Sequence, residues 1–158
     1  MIDLDIQAYQ RARRAIKAKD YKAAERDFKK VFASIDENAE QYNVVQSYYG
    51  LAQVLNADNN GLLLCRDAAS REVFEGEVFL NLACAEWHIN NRKRAIDAIR
   101  RGVKIDADHT QLNHACARLD CRKKCCFSFL PRAHTLNRLF GRLFRRPAPR
   151  HTVHSLLY

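Results

Sequence analysis

The stretch Asn91-Arg92-Lys93-Arg94-Ala95-Ile96-Asp97-Ala98-Ile99-Arg100-Arg101-Gly102-Val103, closing at Asp106, decides the fold, because the chain carries an earlier version of it. That version runs Asp20-Tyr21-Lys22-Ala23-Ala24-Glu25-Arg26-Asp27-Phe28-Lys29-Lys30-Val31-Phe32 and closes near Asp36. In each, an alanine (Ala24, Ala95) is followed by a large apolar residue (Phe28, Ile99), then by Val31 or Gly102, then by an aspartate. Steps of four and three residues keep these positions on one helical face. Each stretch also follows another apolar stripe at helical spacing. Tyr9, Ala12, Ala15 and Ile16 precede the Lys19-Asp20 turn, and Phe79, Leu82, Ala83 and Trp87 precede Asn90-Asn91. The pattern predicts two helix-turn-helix units.

A third, less regular unit fits between them. Its first helix runs from Tyr42 to Leu55 and carries Val45, Tyr49, Gly50 and Ala52. Asn56-Ala57-Asp58-Asn59-Asn60-Gly61 makes the turn, and a second helix with Cys65 and Ala69 runs from Leu62 to about Glu72. Ala24, Leu62 and Ala95 occupy equivalent places, separated by 38 and 33 residues.

These units resemble tetratricopeptide repeats. That family places a bulky residue, Leu and Gly/Ala in the first helix and Ala, an aromatic and Ala in the second, with a period of about 34 residues. The third unit matches best, through Phe79, Leu82, Ala83, Ala95, Ile99, Gly102 and Asp106. The first keeps Ala12, Tyr21, Ala24, Phe28 and Val31 but has Arg11 at the leucine place. The middle one keeps Tyr49, Gly50 and Ala69 but has Leu62 and Arg66 at the alanine and aromatic places. The resemblance covers residues 5 to 108. It implies an all-α, right-handed superhelix of antiparallel helix pairs (an α-solenoid) followed by C-terminal helices. The expected organisation is a repeat domain over 1–127, with units at about 5–37, 41–73 and 76–108 and a capping helix over 109–124. A basic amphipathic helix and a disordered tail are expected over 128–158. A non-repeating antiparallel bundle is the alternative that amphipathic helices of this length also allow.

Composition agrees with a helical domain. Apolar residues make up 47% and charged residues 28% of the 158 residues, as in an ordinary globular protein. All three prolines lie at Pro131 or beyond, so none interrupts a helix before that point. No stretch approaches the roughly 18–20 uninterrupted apolar residues of a membrane span. The acidic start Met1-Ile2-Asp3-Leu4-Asp5 lacks the features of a secretory signal. Cytoplasmic residence is expected, with the six cysteines reduced.

Charge divides the chain. Residues 1–117 are balanced, and the net +9 falls entirely in 118–158, where ten Lys/Arg stand against Asp120 alone. Leu136, Leu139, Phe140, Leu143 and Phe144 recur there at helical spacing beside Arg138, Arg142, Arg145 and Arg146. Such a helix could dock on the repeats, engage a partner, or lie on an anionic membrane surface as a peripheral anchor. Nucleic acid fits less well, because tracking phosphates does not need five large apolar residues in register.

No motif of catalysis is present: there is no phosphate loop, no His-Glu-x-x-His and no Gly-x-Ser-x-Gly. We therefore expect no enzyme and no cofactor. His114, Cys116, Cys121 and Cys125 crowd one segment but lack the paired spacing of structural zinc, so packing cysteines are the plainer reading. The resemblance implies instead a concave groove lined by first helices, holding a peptide or helix of a protein partner, as an adaptor or chaperone-like module does. Carried over by position, Tyr9, Arg13, Lys17, Tyr48, Leu51, Leu80, Asn81, Cys84, Trp87 and His88 line it, with Ser47 and Val54 beside them. Some members of the family grip acidic chaperone tails with a Lys/Asn/Arg clamp. The matching places here hold Tyr9, Arg13, Tyr48, Glu77 and Asn81, so that clamp is not present.

Overall fold

A computed structural model describes residues 5–119; the cluster positions Cys121 and Cys125 and the whole 128–158 segment, with Arg138, Leu139, Phe140, Arg142, Leu143, Phe144, Arg145 and Arg146, lie outside them. The described residues form seven α-helices and no strand. These are α1 (Ile6–Lys17), α2 (Tyr21–Ser34), α3 (Tyr42–Leu55), α4 (Gly61–Arg71), α5 (Gly76–His88), α6 (Arg92–Ile105) and α7 (Thr110–Leu119). None is long and apolar enough to cross a membrane.

The backbone itself repeats. Lys19, Ala57 and Asn90, the residues just past the C-caps of α1, α3 and α5, all adopt positive φ, at 63°, 69° and 67°. Behind each, the next N–H reaches back five residues: Asp20 to the Ala15 carbonyl, Asp58 to Gln53 and Asn91 to Glu86. The positive-φ residues also bond three residues back, Lys19 to Ile16, Ala57 to Val54 and Asn90 to Trp87. This paired pattern is the Schellman motif, which ends a helix and turns the chain at once. Positions 19, 57 and 90 carry the same 38 and 33 separations as Ala24, Leu62 and Ala95. Three like turns therefore close three helix hairpins, α1–α2, α3–α4 and α5–α6.

Neighbouring helices run antiparallel and stack in chain order. Every substantial contact joins helices one or two apart in sequence, including α3 with α5 and α5 with α7. The α3–α4 hairpin closes backbone to backbone. A Cβ added at Gly50 would lie 2.5 Å from the Gly61 carbonyl oxygen, and one at Gly61 would collide with the Gly50 carbonyl. Both positions demand glycine for want of space. Most of the apolar core is one cluster running from Ala12 and Phe28 through Leu51, Cys65 and Phe79 to Ile99 and Leu112. A smaller cluster of Ala8, Val31, Ile35 and Val45 lies between α1, α2 and α3.

Two of the three departures from the repeat pattern, Arg11 and Arg66, are compensated by charge. Arg11, at the leucine place of the first unit, puts Nε 2.7 Å from Oδ2 of buried Asp27 on α2. Arg66, at the aromatic place of the second, puts Nε 2.8 Å from Oε1 of buried Glu86 on α5. A buried carboxylate without such a partner would be strongly destabilising. Each arginine thus replaces apolar packing with an ion pair between neighbouring helices.

Candidate functional site

Four separated stretches meet on the face formed by the first helices. Tyr9 and Arg13 come from α1, Tyr48 from α3, Glu77 and Asn81 from α5, and His109 from the turn before α7. Tyr9 and Arg13 are one helical turn apart, as are Glu77 and Asn81, so each pair shares a face. The guanidinium of Arg13 stacks on both tyrosines, its Cζ 5.8 Å from the Tyr9 ring centre and 5.3 Å from that of Tyr48. Behind it the rings pack as a set: Tyr9 meets Tyr48 edge-on at 5.8 Å and Phe28 edge-on at 5.9 Å, while Phe28 stacks on Tyr48 at 5.2 Å.

Glu77 is the electrostatic centre. The Tyr48 hydroxyl donates to its Oε1, and Arg13 Nη2 lies 3.5 Å from the same oxygen. His109 Nε2 lies 3.0 Å from Oε2. The Leu112 N–H donates to His109 Nδ1 at 3.2 Å, and an imidazole accepting at Nδ1 carries its proton on Nε2, directed at Glu77. Burial pushes the Tyr9 phenol up to about 12, with Arg13 drawing it back and Glu77 adding to the rise. Burial, followed by the Glu77 charge, drives the Tyr48 phenol far above its ordinary value. Tyr48 therefore remains a hydrogen-bond donor to Glu77 across the physiological range.

Below this cluster, the Asn81 amide nitrogen donates to Ser47 Oγ at 2.9 Å, and that hydroxyl donates to the Val44 carbonyl at 2.8 Å. Asn81 Oδ1 is buried without a partner among the described residues.

The ten residues expected to line a groove divide by exposure. Lys17 and His88 are exposed, and Tyr9, Arg13 and Trp87 are half-buried, the Trp87 ring lying under the Arg92 guanidinium at 5.3 Å. Tyr48, Leu51, Leu80, Asn81 and Cys84 are buried and do not line an open surface, nor do Ser47 and Val54. The correction has a packing cause. Helix α5 is wrapped by α3, α4, α6 and α7, and α3 by α2, α4 and α5, so faces that the family resemblance assigns to a hollow are shared between neighbours.

His109 escapes the sequence reading, and Glu77 appears there only as an interruption of the clamp. The available signal for His109 was its place as the last residue before α7, where side chains turn back onto a helix start.

Among the described residues, no set of three or more His, Cys, Asp or Glu side chains could hold a metal ion. His114 is exposed and Cys116 half-buried on α7. Burial pushes the Cys65 and Cys84 thiols well above their ordinary value, and the Cys65 thiol donates to the Ser47 carbonyl at 3.3 Å. A thiol held protonated is a poor nucleophile.

Comparison with protein-family models, with curated proteins and with solved structures yields no match to this chain.

Proposed function

We propose that the chain is a non-catalytic protein-interaction module of tetratricopeptide type, working in the cytoplasm as an adaptor or chaperone-like holder of a partner segment. In this reading the three hairpins stack as a right-handed superhelix and the first helices form its inner face. The extensive helix packing joins helices one or two apart in the chain, with the Arg13–Glu77 ion pair reaching further from α1 to α5. This pattern favours an open array over a closed bundle, in which the ends would meet.

The observation that carries the reading is the convergence of Tyr9, Arg13, Tyr48, Glu77 and His109 at one point of the first-helix face. Four stretches of chain supply a half-exposed arginine braced on aromatic rings, the side-chain types that dominate binding energy at protein interfaces. Trp87 and His88, at the far end of α5, extend the same chemistry. Because Glu77 already satisfies Arg13, the site has little to offer a partner's carboxylate. Apolar and aromatic groups of an extended or helical segment suit it better.

The test is retention of proteins from a native extract at high salt, followed by affinity measurement for the partner retained. The combined variant Arg13→Ala, Trp87→Ala, His88→Ala is expected to weaken binding about a hundredfold, with Lys93→Ala on α6 as a control that binds normally. Equal affinity for the triple variant and the unaltered protein, with both folded by circular dichroism, would move the site elsewhere.

A further inference from the structure

The turns inside the hairpins and the connections between them differ in composition. The three connections between hairpins are 35–41, 72–75 and 106–109, and they contain Asp36, Glu37, Glu40, Glu72, Glu75, Asp106 and Asp108 with no lysine or arginine. Antiparallel packing puts all three at one end of the helices, and direct contacts tie them together. Asn43 at the start of α3 donates to Glu72 Oε2 at 3.1 Å. Gly76 at the start of α5 sits against the Asp106 side chain, and His109 reaches Glu77. The result is an edge whose connections carry only acidic charge, with Arg71 at the end of α4 beside them.

At the middle of that edge stand two apolar side chains that the fold leaves uncovered, Phe74 at 80% exposure and Val73 at 62%. They are held out on a fixed backbone. Glu72 Oε1 accepts the N–H groups of Val73, Phe74 and Glu75 at 3.0, 2.9 and 3.0 Å, and Glu72 itself is buried. Burial raises the Glu72 carboxyl, but these donors and Asn43 hold it below its usual value, so it remains charged. A docking residue on a loop already ordered loses little entropy on binding.

A lone exposed phenylalanine needs no explanation. One that stands between Glu72 and Glu75, on an edge whose three connections carry seven carboxylates, favours a ligand that is both basic and apolar, and the chain contains such a ligand. No aspartate or glutamate follows Asp120, and residues 132–146 combine Arg132, Arg138, Arg142, Arg145 and Arg146 with Leu136, Leu139, Phe140, Leu143 and Phe144. We propose that this segment docks in cis on the acidic edge, burying Phe74 and Val73 among its leucines and phenylalanines while its arginines meet the connection carboxylates. The proposal is independent of the groove reading.

Reach allows it. Helix α7 starts at the acidic edge and carries the chain away for its ten residues, a rise of about 15 Å. The stretch 120–131 can extend to roughly 40 Å, more than enough to return. Tethering then gives the segment an effective concentration on the order of millimolar, which suits a modest apolar contact backed by charge.

Trypsin cleavage after Arg138 and Arg142 in the full chain tests the proposal. The variant Phe74→Ser, Glu75→Lys alters only exposed side chains, and an unchanged circular dichroism melt would show that its fold is intact. Cleavage in this variant is expected to run roughly tenfold faster than in the unaltered protein, the factor that burial of part of a phenylalanine supplies. Raising salt should speed cleavage of the unaltered protein in the same direction. Equal rates in the two proteins would overturn the proposal. So would protection that grows with protein concentration, which marks docking on a second copy. Protection that appears only with phosphatidylserine-containing vesicles, and equally in both proteins, would overturn it in favour of a membrane.

Discussion

Ala57 holds φ at 69° with no side-chain group to favour that conformation. The left-handed region costs an L-residue with a Cβ roughly 1–2 kcal/mol, and asparagine tolerates it better. Asn90 therefore suits its turn, whereas Ala57, at the equivalent place, carries strain. Ala57→Gly should stabilise the protein by about 0.5–1 kcal/mol after the extra freedom of glycine in the unfolded chain is subtracted. The measurement is the urea midpoint at unchanged slope, and a lower midpoint would refute the strain. Single residues are also where the sequence pattern misleads. Arg11 and Arg66 look like lapses from the repeat, because a consensus describes one column at a time. Their partners Asp27 and Glu86 lie on other helices, and nothing in a column announces that an arginine and a distant carboxylate replace a leucine or an aromatic.

Helix hairpins are the units the sequence announces. Ala12, Gly50 and Ala83 recur with the same separations as Ala24, Leu62 and Ala95, and apolar spacing within each stretch marks which side is buried. Periodicity cannot tell which neighbour buries it. The family resemblance places Leu51, Leu80 and Cys84 on an open face, yet α3 and α5 bury far more than one stripe, from Val45 to Leu55 and from Val78 to Glu86 with few interruptions. Between elements, two carboxylates act as ties. Asp27 joins α2 to Arg11 of α1, and Glu72 gathers the start of the α4–α5 connection to Asn43 of α3. Burial works to raise both acids, but Arg11 and Arg26 for Asp27, and backbone donors for Glu72, hold each below its ordinary value. A carboxyl depressed in the folded state stabilises above the unfolded value, near 4 for Asp and Glu, and that contribution disappears as pH falls through the folded value. Thermal midpoints should therefore fall steeply below about pH 4. Asp27→Asn should start lower at pH 7 and show a shallower fall. An unchanged acid slope in that variant would remove Asp27 from the account.

At the scale of the described residues as a whole, burial rises from the first and last helices towards α5. Helix α1 buries only Ala8, Ala12 and Ile16, and α7 meets only α5 and α6 to any extent. Helix α5 buries ten of the eleven positions from Gly76 to Glu86, all but Glu77, and touches α3, α4, α6 and α7. In an array where each unit leans on its neighbours, a terminal helix can open without disturbing the rest, whereas opening α5 exposes both sides of the core. Native-state hydrogen exchange should accordingly be graded. Amides of Leu80 to Ala85 should exchange slowest, through global unfolding, and those in the middle of α1 roughly a hundredfold or more faster through local opening. The Arg13, Tyr48 and Glu77 contacts bind α1 to the centre of the array, so Glu77→Gln should widen that gap by loosening α1 while leaving α5 protection nearly unchanged. A closed bundle behaves differently: its helices share one core, so their amides reach a common protection and Glu77→Gln lowers all of them together. Uniform protection would thus argue against an open array and, with it, against an inner face shaped to hold a partner.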